Sequence, residues 1–347
     1  MTDRSETIAA EADVSAIEEP AVAVRDRNRK KKKGKWTLQS VFALVLALLP
    51  LIGFVIFSGF TLVISFIAMF FNINIYDLTD PFVWNNFRAF WLVFDPNYYP
   101  NDFAINVSGY FYKSLGITFW IACAQLISLT IAIGISWLLS KKWRGSNVFM
   151  VLFFVPYICS GVAVSLMWRW VFNGNFGFIN AIFGTEIDWL NEPMAVPWII
   201  ILAIVWQAPG YGIVMYRAAF AAVDPALYEA ASLDGANEWQ KFRYITLPSI
   251  SPTTFYLLIA GVGAGLLTYD MAALIAPQGW GDNIGGPENM GLTLMRLVYW
   301  LIGDSVVRTE DAFASCASVI SWVLFLFTGV ASMILFRIRD RRMKDVY

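Results

Sequence analysis

Six long stretches without a single charged residue constrain this chain more than any other feature. Lys35 and Asp77 bracket 41 uncharged residues, Lys113 and Lys141 bracket 27, and Arg144 and Arg169 bracket 24. Glu192 to Arg217 encloses 24 more, Arg243 to Asp270 encloses 26, and Asp311 to Arg337 encloses 25. A helix crosses the hydrocarbon layer with about 20 apolar residues. In lipid the backbone must satisfy its own hydrogen bonds, which a helix does internally. The stretches therefore predict an all-α integral membrane protein with six transmembrane helices, at about 41–71, 115–139, 148–168, 197–216, 253–275 and 313–336. Composition agrees, with 58% apolar and only 15% charged residues. Soluble domains carry about 25% charge, so a water-facing surface of this size could not be covered.

The first stretch is the longest. Val41 to Phe71 is 31 residues, about 46 Å of helix against a hydrocarbon layer of about 30 Å. Either this helix tilts and projects, or Pro50 and Gly53 interrupt it. It is too long for the apolar region of a cleaved leader, and an acidic segment precedes its basic flank.

Lysine and arginine set the orientation. One side of the six-span arrangement carries 20 of them, nine before the first span, and the other carries five: Arg88, Lys113, Arg169, Arg296 and Arg308. The positive-inside rule then places both termini in the cytoplasm. Residues 1–36 read as a disordered cytoplasmic segment ending in the polybasic run Arg25 to Lys35. That run reads as an orientation determinant against inner-leaflet lipid rather than a nucleic-acid site. Residues 37–340 form the membrane domain and 341–347 a short tail. The outward connections 77–113, 172–193 and 276–311 read as loops or short surface helices, too short for a separate domain. The Asn106-Val107-Ser108 triplet is a glycosylation sequon of a kind common by chance. Trp168, Arg169 and Trp170 read as a membrane-boundary anchor, with sugar stacking as the alternative.

Several chemistries are excluded. The chain has no histidine, which removes His-based triads, His-ligated zinc and His proton relays. Cys123, Cys159 and Cys316 are far apart and form no metal or disulfide pattern. No GxxxxGK[ST] stretch is present, so the chain has no P-loop for ATP hydrolysis. No catalytic residue and no metal ligand is assigned.

The most informative segment lies between spans four and five, residues 216–252. Asp224 is a good N-cap and Pro225 suits the first helical position. Leu227, Ala230, Ala231 and Asp234 share one helical face. Gly235 suits a left-handed stop, and Asn237 caps a second helix in which Glu238 and Lys241 pair three apart. The stretch Glu229-Ala230-Ala231-Ser232-Leu233-Asp234-Gly235-Ala236, followed by Phe242, Ile245 and Leu247-Pro248, resembles the "EAA" loop of binding-protein-dependent ABC transporter permeases. The similarity extends more loosely over about residues 40–340, toward the carbohydrate branch typified by maltose and glycerol-phosphate permeases. Leu115 to Leu139, Lys142 to Arg144, Phe153 to Pro156, Met167 to Phe172 and Gly285-Gly286-Pro287 carry it. Two departures are the charged N-terminal extension and a longer Pro277 to Asn283 segment.

The resemblance implies a type I ABC importer permease fold with a cytoplasmic coupling helix between spans four and five. It places the chain in a bacterial or archaeal cytoplasmic membrane. Tyr228, Glu229, Ala230, Ala231, Asp234, Gly235, Ala236, Leu247 and Pro248 would form the element that meets the ATPase. Partners would be ABC ATPase subunits, a second homologous permease and an extracytoplasmic sugar-binding protein. The chain itself would bind no cofactor, with ATP and magnesium on the partner ATPase.

For the transport path, Trp206-Gln207-Ala208-Pro209-Gly210-Tyr211-Gly212 in span four suggests a helix break lining a polar cavity, or else a tolerated kink. Gln207 and Tyr211 are candidate hydroxyl partners, and Tyr269 and Asp270 are candidates near the end of span five. Asp270 is a path or gate group, or a solvated boundary residue. Gly261 and Gly265 mark a close-packing face. Alternatives are an ABC permease for a non-sugar solute, a stand-alone secondary transporter, which would need more intramembrane ionisable groups, and an intramembrane enzyme, for which paired carboxylates are missing.

Overall fold

A computed structural model describes residues 38–72, 83–98, 105–141, 144–276, 283–303 and 312–344. The expected N-terminal segment 1–36, with its basic run, and all but the last residue of Pro277 to Asn283 lie outside the described residues. The chain divides into two units, residues 1–60 and 61–347.

In the first unit, α1 (Leu38–Phe54) contains Pro50 and passes into a π turn at Val55–Gly59. Neither Pro50 nor Gly53 interrupts the helix. Proline removes one ladder donor, and the helix runs on through it to the π turn.

The second unit begins at Thr61, within α2 (Phe60–Ala68). A small hairpin pairs β1 (Phe71–Asn72) with β2 (Val83–Trp84), Phe71 opposite Trp84. It leads to α3 (Arg88–Phe94) and then to α4 (Val107–Ser140), 34 residues long. The Asn106 side chain accepts the Gly109 N–H and so caps α4.

α4 is the pillar of the unit. It packs against α5 (Ser146–Ile158), α8 (Ala195–Gln207) and α9 (Pro209–Ala221). A buried stripe of small residues, Ser114, Thr118, Ala124, Ser128, Ala132 and Ser136, explains how one helix takes so many neighbours. Small side chains let backbones approach without forfeiting dispersion contact. Their hydroxyls are satisfied locally, Thr118 on the Ser114 carbonyl and Ser128 on the Ala124 carbonyl. Ser136 instead donates across to the Ile213 carbonyl.

The third apolar run is not one straight span. α5 ends after Pro156, and α6 (Gly161–Val171) leaves at 96°. After α7 (Phe178–Phe183), span four follows as α8 and α9, long enough together to cross a bilayer. Ala208 between them keeps helical angles, φ −70° and ψ −30°. The expected break at Pro209 is thus only a missing hydrogen bond. The glycines there serve packing: a Cβ on Gly210 would stand 2.5 Å from the Phe153 carbonyl oxygen, and one on Gly212 would stand 2.8 Å from the Ala132 Cβ.

The loop carries α10 (Pro225–Leu233), α11 (Glu238–Lys241), a π turn at Phe242–Thr246 and α12 (Leu247–Ser249). Span five is α13 (Ser251–Leu266) and α14 (Asp270–Ile275), separated by non-helical Tyr269. Gly265 on this span approaches Ala122 of α4, where a Cβ would stand 3.1 Å away. α15 (Leu294–Gly303) follows, and α16 (Phe313–Lys344) closes the chain, running eight residues beyond the expected end of span six.

The connection at 276–311, expected to be an outward loop or short surface helix, is not merely a surface feature. Leu292, Leu294, Leu297 and Leu301 are buried in a core shared with α3, α4 and α16. Arg296, counted above as a flanking cation, is 6% exposed. Its guanidinium donates to the Ala272 carbonyl at 2.7 Å and the Ala276 carbonyl at 3.3 Å, capping the end of α14. Burial draws its pKa down to about 10, still well above neutral pH, so the charge that binds those carbonyls is kept.

Candidate functional site

Two regions gather the residues singled out from the sequence. The first is the loop helix α10. The Asp224 carboxylate accepts the Ala226 N–H at 2.9 Å, and Pro225 occupies the first turn. At the other end the Ala236 N–H reaches the Ala231 carbonyl at 2.9 Å and the Gly235 N–H reaches Ser232 at 3.2 Å. With Gly235 at φ +79° this is a Schellman stop. α11 begins with a full capping box between Asn237 and Gln240, and Lys241 pairs with Glu238 at 3.3 Å.

α10 buries none of its residues. Leu227 is 50% and Leu233 91% exposed, and Glu229, Ala230 and Asp234 also face outward. An isolated nine-residue helix is marginal in water. Its tether to the rest of the loop includes a 2.8 Å hydrogen bond between the Tyr228 and Thr246 hydroxyls. Tyr228, Glu229, Ala230, Ala231, Asp234, Gly235 and Ala236 therefore sit together on or beside one helix. Leu247 and Pro248 do not; they belong to the stem that leads into span five.

That stem rests on the end of α4. Phe242 packs on Trp137 with centroids 5.0 Å apart, Trp239 packs on Phe242 at 5.5 Å, and the Lys141 ammonium lies 4.5 Å over the Trp137 ring. Trp137 was not anticipated as part of this region. A cavity of about 690 Å³ separates the loop from the span ends, lined by Lys141, Arg217, Tyr228, Glu229 and Lys241 among others.

The second region lies among the spans. A cavity of about 740 Å³ is lined by Gln125, Ser128, Tyr157, Cys159, Gln207 and Tyr211 among others. A smaller one of about 230 Å³ adjoins it, sharing Gln125, Gly161, Gln207 and Ala208 and adding Thr268, Tyr269 and Asp270. All four path candidates, Gln207, Tyr211, Tyr269 and Asp270, thus line one or other of two adjoining cavities. Sequence reasoning missed Gln125, Tyr157 and Cys159. Gln125 is the one amide side chain in the uncharged run between Lys113 and Lys141, and that was the available signal.

The bend of the third span forms one wall. It leaves the Cys159 carbonyl without a helical partner, and Gln207 Nε2 donates to it at 2.9 Å. From the opposite side Asp270 approaches the start of α6, its carboxylate 3.3 Å from where a Gly161 Cβ would be. A carboxylate is favourably placed at that helix end. Tyr157 and Tyr211 stack at 5.4 Å, and the Tyr211 and Tyr256 hydroxyls lie 3.3 Å apart. The wall therefore offers flat aromatic faces with neutral hydrogen-bonding groups between them. Tyr269 is stacked on Tyr299 at 4.1 Å.

Comparison with known proteins gives the same architecture. The lactose transport system permease protein LacF of Rhizobium radiobacter is 31% identical over 217 residues, 60% of this chain and 69% of that protein. The probable ABC transporter permease protein YesP of Bacillus subtilis is 32% identical over 236 residues, 65% and 72% of the two chains. A chain from the crystal structure of a bacterial ABC transporter involved in the import of the acidic polysaccharide alginate superposes with a TM-score of 0.69. It covers 87% of this chain and 96% of that one at 19% identity, a likeness of fold. Residues 126–345 match the family described as the inner membrane component of binding-protein-dependent transport systems. Spanning helices, exposed loop helix and sequence match agree, and the chain belongs to that family as a multi-pass membrane subunit.

Proposed function

We propose that this chain is the non-catalytic permease subunit of an ATP-driven importer and forms half of the path for a carbohydrate. The carrying observation is α10, a helix capped at both ends yet buried nowhere, in a chain of this family. Such a helix is built to be covered by something else. ATPase subunits holding ATP and magnesium are the proposed cover, with Glu229, Ala230, Asp234 and Gly235 at the contact. A second homologous permease and an extracytoplasmic sugar-binding protein complete the assembly, and both termini lie in the cytoplasm. Carbohydrate as cargo is supported by the lactose permease relative and by the aromatic faces of the path.

The test is co-purification and uptake with the assembled transporter. Glu229→Ala and Gly235→Val should abolish uptake and weaken ATPase co-elution while membrane insertion stays at the parental level. Normal uptake by both variants would show that α10 is not the docking element.

A further inference from the structure

The two adjoining cavities carry charged side chains of one sign only. Their walls offer Gln125, Ser128, Gln207, Tyr157 and Tyr211 as neutral partners, Asp270 as a carboxylate, and no lysine or arginine. Among the described residues no cation lies within ion-pair distance of Asp270. Arg296 is committed to the carbonyls of Ala272 and Ala276.

We infer that Asp270 is a charge-selecting residue, so that the path takes neutral or amino sugars and rejects sugars bearing carboxylates. This rests on the reading of the chain as a saccharide path. A uronate in the larger cavity would bring its carboxylate toward Asp270, with the start of α6 already occupied by Asp270 and no lysine or arginine of this chain in the lining to receive it. Two like charges about 6 Å apart at an effective dielectric of about 20 disfavour each other by roughly 100-fold. Asp270 is exposed to the cavity, and solvent screening reduces this to roughly 10-fold. An ammonium on an amino sugar gains by the same interaction, while a neutral sugar is indifferent to it. The aromatic faces and amides serve all three alike, so the discrimination falls on this one side chain.

The experiment uses the assembled transporter in nanodiscs and three trisaccharide probes of matched linkage, built from glucose, glucosamine and glucuronic acid. Binding is read by quenching of intrinsic fluorescence in mildly acidic buffer, where the amines are protonated and the carboxylates ionised. The glucuronic acid probe should bind roughly 10-fold more weakly than the glucose probe, and the glucosamine probe at least as well as glucose. Asp270→Asn should bring the three affinities together, whereas Asp270→Glu should keep their order. On the unaltered transporter, raising the salt should shrink the glucose-to-glucuronate ratio, which tests the idea without any variant. Equal binding of all three probes, or a ratio indifferent to both salt and Asp270→Asn, would overturn the charge selection and leave the saccharide path standing. Binding of none of them would overturn both.

Discussion

Glycines in this chain do two different jobs, and single substitutions separate them. Gly235 has nothing within 4 Å of a prospective Cβ, so its role is the +79° φ of the helix stop. Gly210 has an ordinary conformation, but a Cβ there would press on the Phe153 carbonyl oxygen and the Tyr157 Cβ. Gly210→Ala should therefore cost ~1–3 kcal/mol through overpacking. Gly134→Ala, in open space within α4, should be neutral or slightly stabilising. Thermal unfolding of the purified proteins measures the difference, and equal midpoints would contradict the packing role. Individual residues were unevenly legible beforehand. Asp224, Pro225, Gly235, Asn237 and the Glu238–Lys241 pair could be read because capping depends on neighbours within a turn. Arg296 could not, since nothing local says that the carbonyls of Ala272 and Ala276 will bury it.

At the level of elements, α10 is held mainly by its ends rather than by a buried face. α10 has no buried side chain to compensate a lost cap. Asp224→Ala and Asn237→Ala should each cost ~1 kcal/mol, enough to fray a helix that is marginal by length. Amide hydrogen exchange over residues 224–241 should accelerate in both variants, with exchange in α4 unchanged. Protection in the loop equal to that of the parent chain would mean that the caps are dispensable. The spans were visible because a charge-free run of 24 residues or more has few other uses. Their irregularities were not. The 96° bend between α5 and α6 hides in a run that hydropathy alone draws as one helix, with Pro156 and Gly161 as its faint marks. In span four the louder Pro209-Gly210 signal gave only a lost hydrogen bond, because close packing on α4 and α5 keeps Ala208 helical.

For the whole molecule, the main question is which surfaces meet water. Cys159 lines the larger cavity and is exposed, whereas Cys316 is buried in the core of α15 and α16. A charged, membrane-impermeant thiol reagent should label Cys159 in the larger cavity and leave Cys316 unreacted in the folded protein, as read by mass spectrometry. Labelling of Cys316 at the same rate would show that the assigned core is open. The cavities were half legible: Gln207, Tyr211, Tyr269 and Asp270 stood out as polar residues in apolar runs, but their meeting depends on the bend of α5 against α6.

That bend makes an elbow of the third span. Its lower arm, α5, lies on α9, while its upper arm, α6, lies on α8 and α14. The joint is held at the Cys159 carbonyl by the amide of Gln207, a bond of a size that thermal motion opens readily. A thrust arriving along α9 would thus be turned through nearly a right angle before it reached Asp270. A small stroke at one end of the joint would then swing a wall of the cavity sideways, as a crank turns push into sweep.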